Sequence, residues 1–110
     1  MTIDIKLQND SVTQLVIRDE MTIYNVLEQN KTLLPYLEAD KELQIDLSEV
    51  TEIDSAGVQL LIVLKQQAQK VNNQFSLVHH SQSVIDVLEL FDLAAFFGDP
   101  VIMPADWEAS

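Results

Sequence analysis

Apolar and polar residues alternate at the start of the chain. Ile3, Ile5 and Leu7 are separated by Asp4 and Lys6, the two-residue period of a strand with one buried face. Asn9-Asp10-Ser11 is a turn signal, and residues 12–17 read as a second strand, so the chain is predicted to open with a hairpin. Arg18-Asp19-Glu20 reads as a polar loop, after which Thr22 would N-cap a helix. Val26, Leu27, Leu33, Leu34 and Leu37 fall near one helical face between Ile23 and Ala39. Pro35 sits inside that pattern and predicts a kink or a division near Leu34. Asp40-Lys41-Glu42 reads as the exit loop.

Leu43, Ile45 and Leu47 predict a third strand, in which Gln44 and Asp46 mark either a less buried face or frayed ends. A short acidic loop is then expected, before Asp54-Ser55-Ala56-Gly57 opens a helix that carries Val58, Leu61, Ile62, Leu64 and Ala68. Asn72-Asn73 is a turn and residues 75–78 a fourth strand, ending at His79-His80. Ser81 or Ser83 would cap a helix with Val84, Val87, Leu88, Leu90 and Phe91. Residues 93–97 read as a further apolar turn or short helix stopped by Gly98-Asp99-Pro100, residues 101–103 as a short edge strand, and residues 104–110 as a loosely held tail. Strands alternating with helices predict an α/β domain: a mixed, mostly parallel sheet of four to five strands, with an N-terminal hairpin and helices packed against it. The expected organisation is one domain over residues 1–103.

Composition narrows the chemistry. The chain has 110 residues, enough for one core, and 47% of them are apolar, which argues against intrinsic disorder. It has no cysteine, and therefore no disulfide, thiolate metal site or thiol nucleophile. Eighteen acids against six bases give a net charge of −12, which repels nucleic-acid backbones and anionic lipid and suits a partner with a basic face. The same acidity also serves plain solubility. The N-terminus lacks a signal-peptide pattern, and the longest apolar run in the central helix, Leu60-Leu61-Ile62-Val63-Leu64, is too short to span a membrane. A soluble cytoplasmic protein without direct membrane insertion is the expectation.

Ser55 is the principal candidate for chemistry. A serine where a helix begins faces unpaired amides and the positive end of the dipole, so a phosphate there would be electrostatically at home. The plainer alternative is an N-cap worth about 1 kcal/mol. Gly57 fits either close approach to a partner or tight helix–sheet packing, and Asp54 either orients the serine or ends the strand. Asp19-Glu20 reads as a solvated pair of acids rather than a general acid/base pair. His79 and His80 are adjacent strand residues pointing to opposite faces, which suits no shared metal. With only two glycines there is no phosphate-cradling loop, and Ser55 lacks an identifiable base. No catalytic residue, metal or cofactor is expected.

Ile53-Asp54-Ser55-Ala56-Gly57-Val58 after the third strand, within this order of elements, resembles the STAS domain of bacterial anti-sigma factor antagonists. The likeness extends over roughly residues 12–98 and includes the helix around Ser83-Val84-Ile85-Asp86-Val87-Leu88. It implies a signalling role without enzymatic activity. By position, Ser55 corresponds to the residue that a partner serine kinase phosphorylates. The unphosphorylated form binds an anti-sigma factor or kinase, phosphorylation releases it, and a phosphatase, in some cases fused to a response regulator, resets it. Asp54, Ala56, Gly57, Val58, Asp19, Glu20 and Glu52 would then form the partner surface. The chain departs from the family in lacking a glycine in the turn after the second strand. Met21-Thr22-Ile23-Tyr24 and the ending at residues 93–100 resemble, more loosely, small STAS proteins of chemotaxis-type or hybrid histidine-kinase pathways. Small STAS proteins also serve as docking subunits of a phospholipid-transport ABC ATPase, a role that needs no phosphorylation. The oligomeric state stays open.

Overall fold

The hairpin forms as the alternation predicts. The computed structural model describes residues 3–91, and in it β1 (Ile3–Gln8) runs antiparallel to β2 (Val12–Met21). Asn9 makes the turn, its Oδ1 accepting the amides of Ser11 and Val12 at 2.9 Å each, the side-chain mimicry that suits asparagine to turns. β3 (Glu42–Ile53) lies parallel to β2, and β4 (Gln74–Val78) parallel to β3, giving the order β1-β2-β3-β4. Helix α1 (Val26–Leu33) connects β2 to β3, α2 (Ser55–Lys70) connects β3 to β4, and α3 (Gln82–Leu90) follows. This is the expected mixed α/β sheet, with four strands among the described residues. The short helix expected at 93–97, the strand at 101–103 and the tail at 104–110 lie outside the described residues.

The core is assembled from alternate strand positions. Leu15, Ile17, Leu43, Ile45, Leu47, Phe75 and Leu77 are buried, joined by Val58, Leu61, Leu64 and Ala68 of α2 and by Val84 and Leu88 of α3. Each such side chain contributes about 1.5–3 kcal/mol by leaving water. In β1 only Ile3 is buried, while Ile5 and Leu7 stay half exposed. β1 is the outer strand of the order, and its register with β2 shifts between Ile5 and Leu7, so its alternation does not translate into burial. Pro35 divides its segment as predicted: α1 stops at Leu33 and a single 3-10 turn, Leu34–Tyr36, carries the proline. The apolar positions there do not share one buried face, since Leu33 is buried but Leu27 and Leu34 are exposed.

Several local expectations are corrected. Arg18-Asp19-Glu20 is part of β2 rather than a loop, because the parallel ladder with β3 continues to Met21 and Ile53. One register shift precedes Arg18 and a second falls between Asp19 and Glu20, and Asp19 takes a left-handed φ of 66°, which aspartate tolerates better than most residues. The supposed acidic loop before Asp54 is the far end of β3. Thr22 is not the N-cap of α1: Asn25 holds that position, and the Thr22 hydroxyl donates to Asn25 Oδ1 at 2.8 Å. β4 ends at Val78, so His79 and His80 follow the strand, His79 with a left-handed φ of 54°. Ser81 rather than Ser83 caps α3, accepting the Val84 amide, while the Ser83 hydroxyl donates to the Thr51 carbonyl at 3.0 Å.

Asp46 is the largest departure. Its side chain is fully buried, not on a less buried face. Lys6 Nζ reaches it at 2.6 Å and the Ser48 amide at 2.8 Å. Burial alone would raise the carboxyl pKa, but the bonds from Lys6 and Ser48 overcome that and hold it below the usual carboxylate value.

Candidate functional site

The C-terminal ends of β2 and β3 meet the N-termini of α1 and α2, and one residue ties them together. Asp54 is the N-cap of α2, in extended conformation. Its Oδ1 accepts the Gly57 amide and its Oδ2 the Ile23 amide, each at 3.0 Å. Its own amide donates to the Met21 carbonyl at 3.3 Å. The carboxylate therefore caps α2 and pins the segment entering α1 at the same time. Burial pushes its pKa up, but hydrogen bonds from the Gly57, Ile23 and Ala56 amides outweigh that and lower it. It stays ionised at neutral pH.

Because Asp54 supplies the cap, Ser55 does not. Ser55 is the first residue of α2 and is exposed. No hydrogen bond engages its hydroxyl among the described residues. Ala56 beside it is half-buried, whereas Gly57 and Val58 are buried. The two readings of Gly57 resolve toward packing. A Cβ there would lie 2.2 Å from the Met21 carbonyl oxygen and 2.7 Å from Ile53 Cγ1, so only glycine lets α2 sit this close to the strand ends.

The acids divide into paired and unpaired sets. Arg18 bridges Asp4 at 2.8 Å and Glu49 at 2.6 Å. Asp19, Glu20 and Glu52 are exposed, make no ion pair among the described residues, and Glu20 faces Glu52 in the β2–β3 register. The structure thus gathers Asp19, Glu20, Glu52, Asp54 and Ser55 at one end of the sheet. Among the described residues no cluster of three His, Asp or Glu side chains could hold a metal ion, and no helix is long and apolar enough to cross a membrane.

An apolar surface that the residue pattern did not mark out lies beside this end. A mostly apolar groove of about 380 Å³ runs between α1 and α2, walled by Ile23, Val26, Leu27, Ala56, Leu60 and Val63, with Asn30 and Gln59 as its polar lining. Ile23 and Leu27 are 67% and 69% exposed, and Tyr24 next to them 92%. A signal was present in the run Leu60-Leu61-Ile62-Val63-Leu64: five consecutive apolar residues span a full helical turn and cannot all face one core.

Residues 6–102 match the family model described as Mlab, STAS domain. The chain belongs to the STAS domain family. Among solved structures, this STAS domain is similar to a candidate anti-sigma factor antagonist from Thermotoga maritima, at 24% identity over 84% of this chain and 80% of that one, TM-score 0.72. It is similar to an anti-sigma factor antagonist from Mycobacterium paratuberculosis, at 21% identity over 97% and 92% of the two chains, TM-score 0.72. The anti-sigma factor antagonist SpoIIAA in its unphosphorylated form matches at 16% identity over 97% and 91%, TM-score 0.72. A search of curated proteins gave no significant match. At these identities the structures share the STAS fold with this chain.

Proposed function

We propose that this STAS domain is a reversible binding module with no catalytic step of its own, acting as an anti-sigma factor antagonist. In this reading it binds an anti-sigma factor or serine kinase while Ser55 is unmodified, is released on phosphorylation of Ser55, and is reset by a phosphatase. The observation that carries the reading is the division of labour at the helix start. Asp54 takes the capping role, and the Ser55 hydroxyl is left exposed and unengaged at the first helical position. A kinase then gains access without dismantling the cap. The helix N-terminus tolerates a phosphate of about −1.5 to −2 charge, so modification alters the surface and not the fold. The bulk of the group beside Ala56, at the mouth of the apolar groove, spoils the fit of a partner shaped to a hydroxyl. The solved relatives that carry the antagonist name support this role, one of them in a form named unphosphorylated. The test is a binding isotherm of unmodified and Ser55-phosphorylated protein against the serine kinase or anti-sigma factor of the same cells. Equal affinities would remove the switch.

A second reading is a constitutive docking subunit of a phospholipid-transport ABC ATPase. The exposed apolar groove favours it, and the matching family model carries the description Mlab rather than that of an antagonist. Co-purification of stoichiometric ATPase, irrespective of the state of Ser55, would select this reading.

A further inference from the structure

We infer that the groove between α1 and α2 seats an amphipathic helix of a partner protein, with the basic residues of that helix at the Ser55 end. The inference deepens the binding-module reading and rests on it. α1 and α2 both start at the C-terminal end of the parallel strands, so they run side by side in the same direction. Their facing positions, Val26, Leu27, Ala56, Leu60 and Val63, leave an open trough that is apolar except for Asn30 and Gln59. From Ala56 to Val63 the trough extends seven residues along α2, about 10 Å at 1.5 Å per residue. That is the span of apolar anchors at i, i+4 and i+7 on one helix, the periodicity of helix-in-groove recognition. Tyr24 and Ile23 stand exposed at its entrance, residue types suited to anchoring contacts.

Charge identifies the occupant. The entrance lies beside the unpaired acids Glu20 and Glu52 and the Asp54 carboxylate. These acids favour a basic helix end and disfavour an acidic one. A second copy of this chain, at net charge −12, is repelled. The chain's own C-terminal segment is equally unsuited, for no lysine or arginine follows Lys70 while Asp86, Glu89, Asp92, Asp99, Asp106 and Glu108 do. A basic segment from another protein is the occupant that this surface complements.

The test is an NMR titration of the full chain, unmodified at Ser55, with a designed helical peptide. The peptide carries leucines at i, i+4 and i+7 and three arginines at one end; a control replaces each arginine by glutamate. The expected result is saturable shifts confined to the amides around Ile23, Leu27, Ala56 and Val63. The control should bind at least about tenfold more weakly, as should the Leu27→Glu and Val63→Glu variants against the arginine peptide. Both variants alter exposed side chains, and their unperturbed spectra would report an intact fold. Equal affinity for the two peptides, shifts elsewhere, or no shifts at millimolar peptide would overturn the inference. So would self-association through the same amides, or contacts between the groove and residues 92–110 of the chain itself. Since the protein is unmodified throughout, failure here is separate from failure of the phosphorylation switch.

Discussion

The Asp54 carboxylate accepts the amide of Ile23 at 3.0 Å, across 31 residues of sequence. One side chain thereby couples the start of the helix that bears Ser55 to the start of the helix that carries the exposed wall of the groove. Replacing Asp54 by alanine removes both the α2 cap and this tie. The expected cost is about 1–2 kcal/mol in urea unfolding. The Ile23 and Gly57 amides should exchange with solvent faster, while core amides such as Ile45 are affected only through the global loss. Unchanged exchange at Ile23 would contradict the coupling.

Gly57→Ala ought to help if helix propensity governed, since alanine outranks glycine by about 1 kcal/mol. Packing reverses the sign. The new methyl meets backbone oxygen of Met21 at 2.2 Å, and neither element can yield cheaply. A net loss of about 1–3 kcal/mol in thermal or denaturant unfolding is expected. A stabilised variant would mean that α2 shifts freely over the strand ends.

Asp46 and Asp54 both have lowered carboxyl pKa values in the folded protein. A group whose folded pKa lies below its unfolded value contributes stability above the unfolded value and loses it as pH falls. Stability should therefore hold at neutral pH and fall below about pH 4, where the unfolded carboxyls begin to protonate first. Asp54→Asn should flatten this acid limb in denaturant titrations at stepped pH. An unchanged limb would show that its hydrogen bonds do not favour the ionised form.

Lys6→Met leaves the buried Asp46 carboxylate with its bonds from Ser48 alone. A buried charge stripped of its counterion is costly, but Lys6 is itself half exposed and water replaces part of what is lost. The expectation is a loss of about 1–3 kcal/mol at neutral pH that shrinks as pH falls, because Asp46 without its counterion protonates more easily in the folded state and its share of the acid limb flattens. The double variant Lys6→Met/Asp46→Asn should recover much of the loss, which a purely steric role for Lys6 would not permit.

Much of this architecture is written in local pattern. The alternation at Leu43, Ile45 and Leu47, the proline at 35 and the Asp-Ser-Ala-Gly step placed the third strand, the helix division and the start of α2, because each depends on nearest neighbours. Asp46 was misplaced because its partner, Lys6, is distant in sequence and reaches it from the outer strand. The strand character of residues 18–20 and 48–52 was hidden by polar side chains, where ladder hydrogen bonds between β2 and β3 decide the conformation. The groove was hidden because helical periodicity marks which residues are apolar, but not which of two apolar stripes the rest of the fold covers.

Phosphorylation of Ser55 is read directly by peptide mass spectrometry of the protein isolated from its native cells, growing and stressed. The expected result is phosphate on Ser55 in one of these states, and its disappearance in a Ser55→Ala strain whose protein folds normally and stays bound to its partner. Full occupancy of the unmodified serine under both conditions, with a constant complement of bound partner, would contradict it.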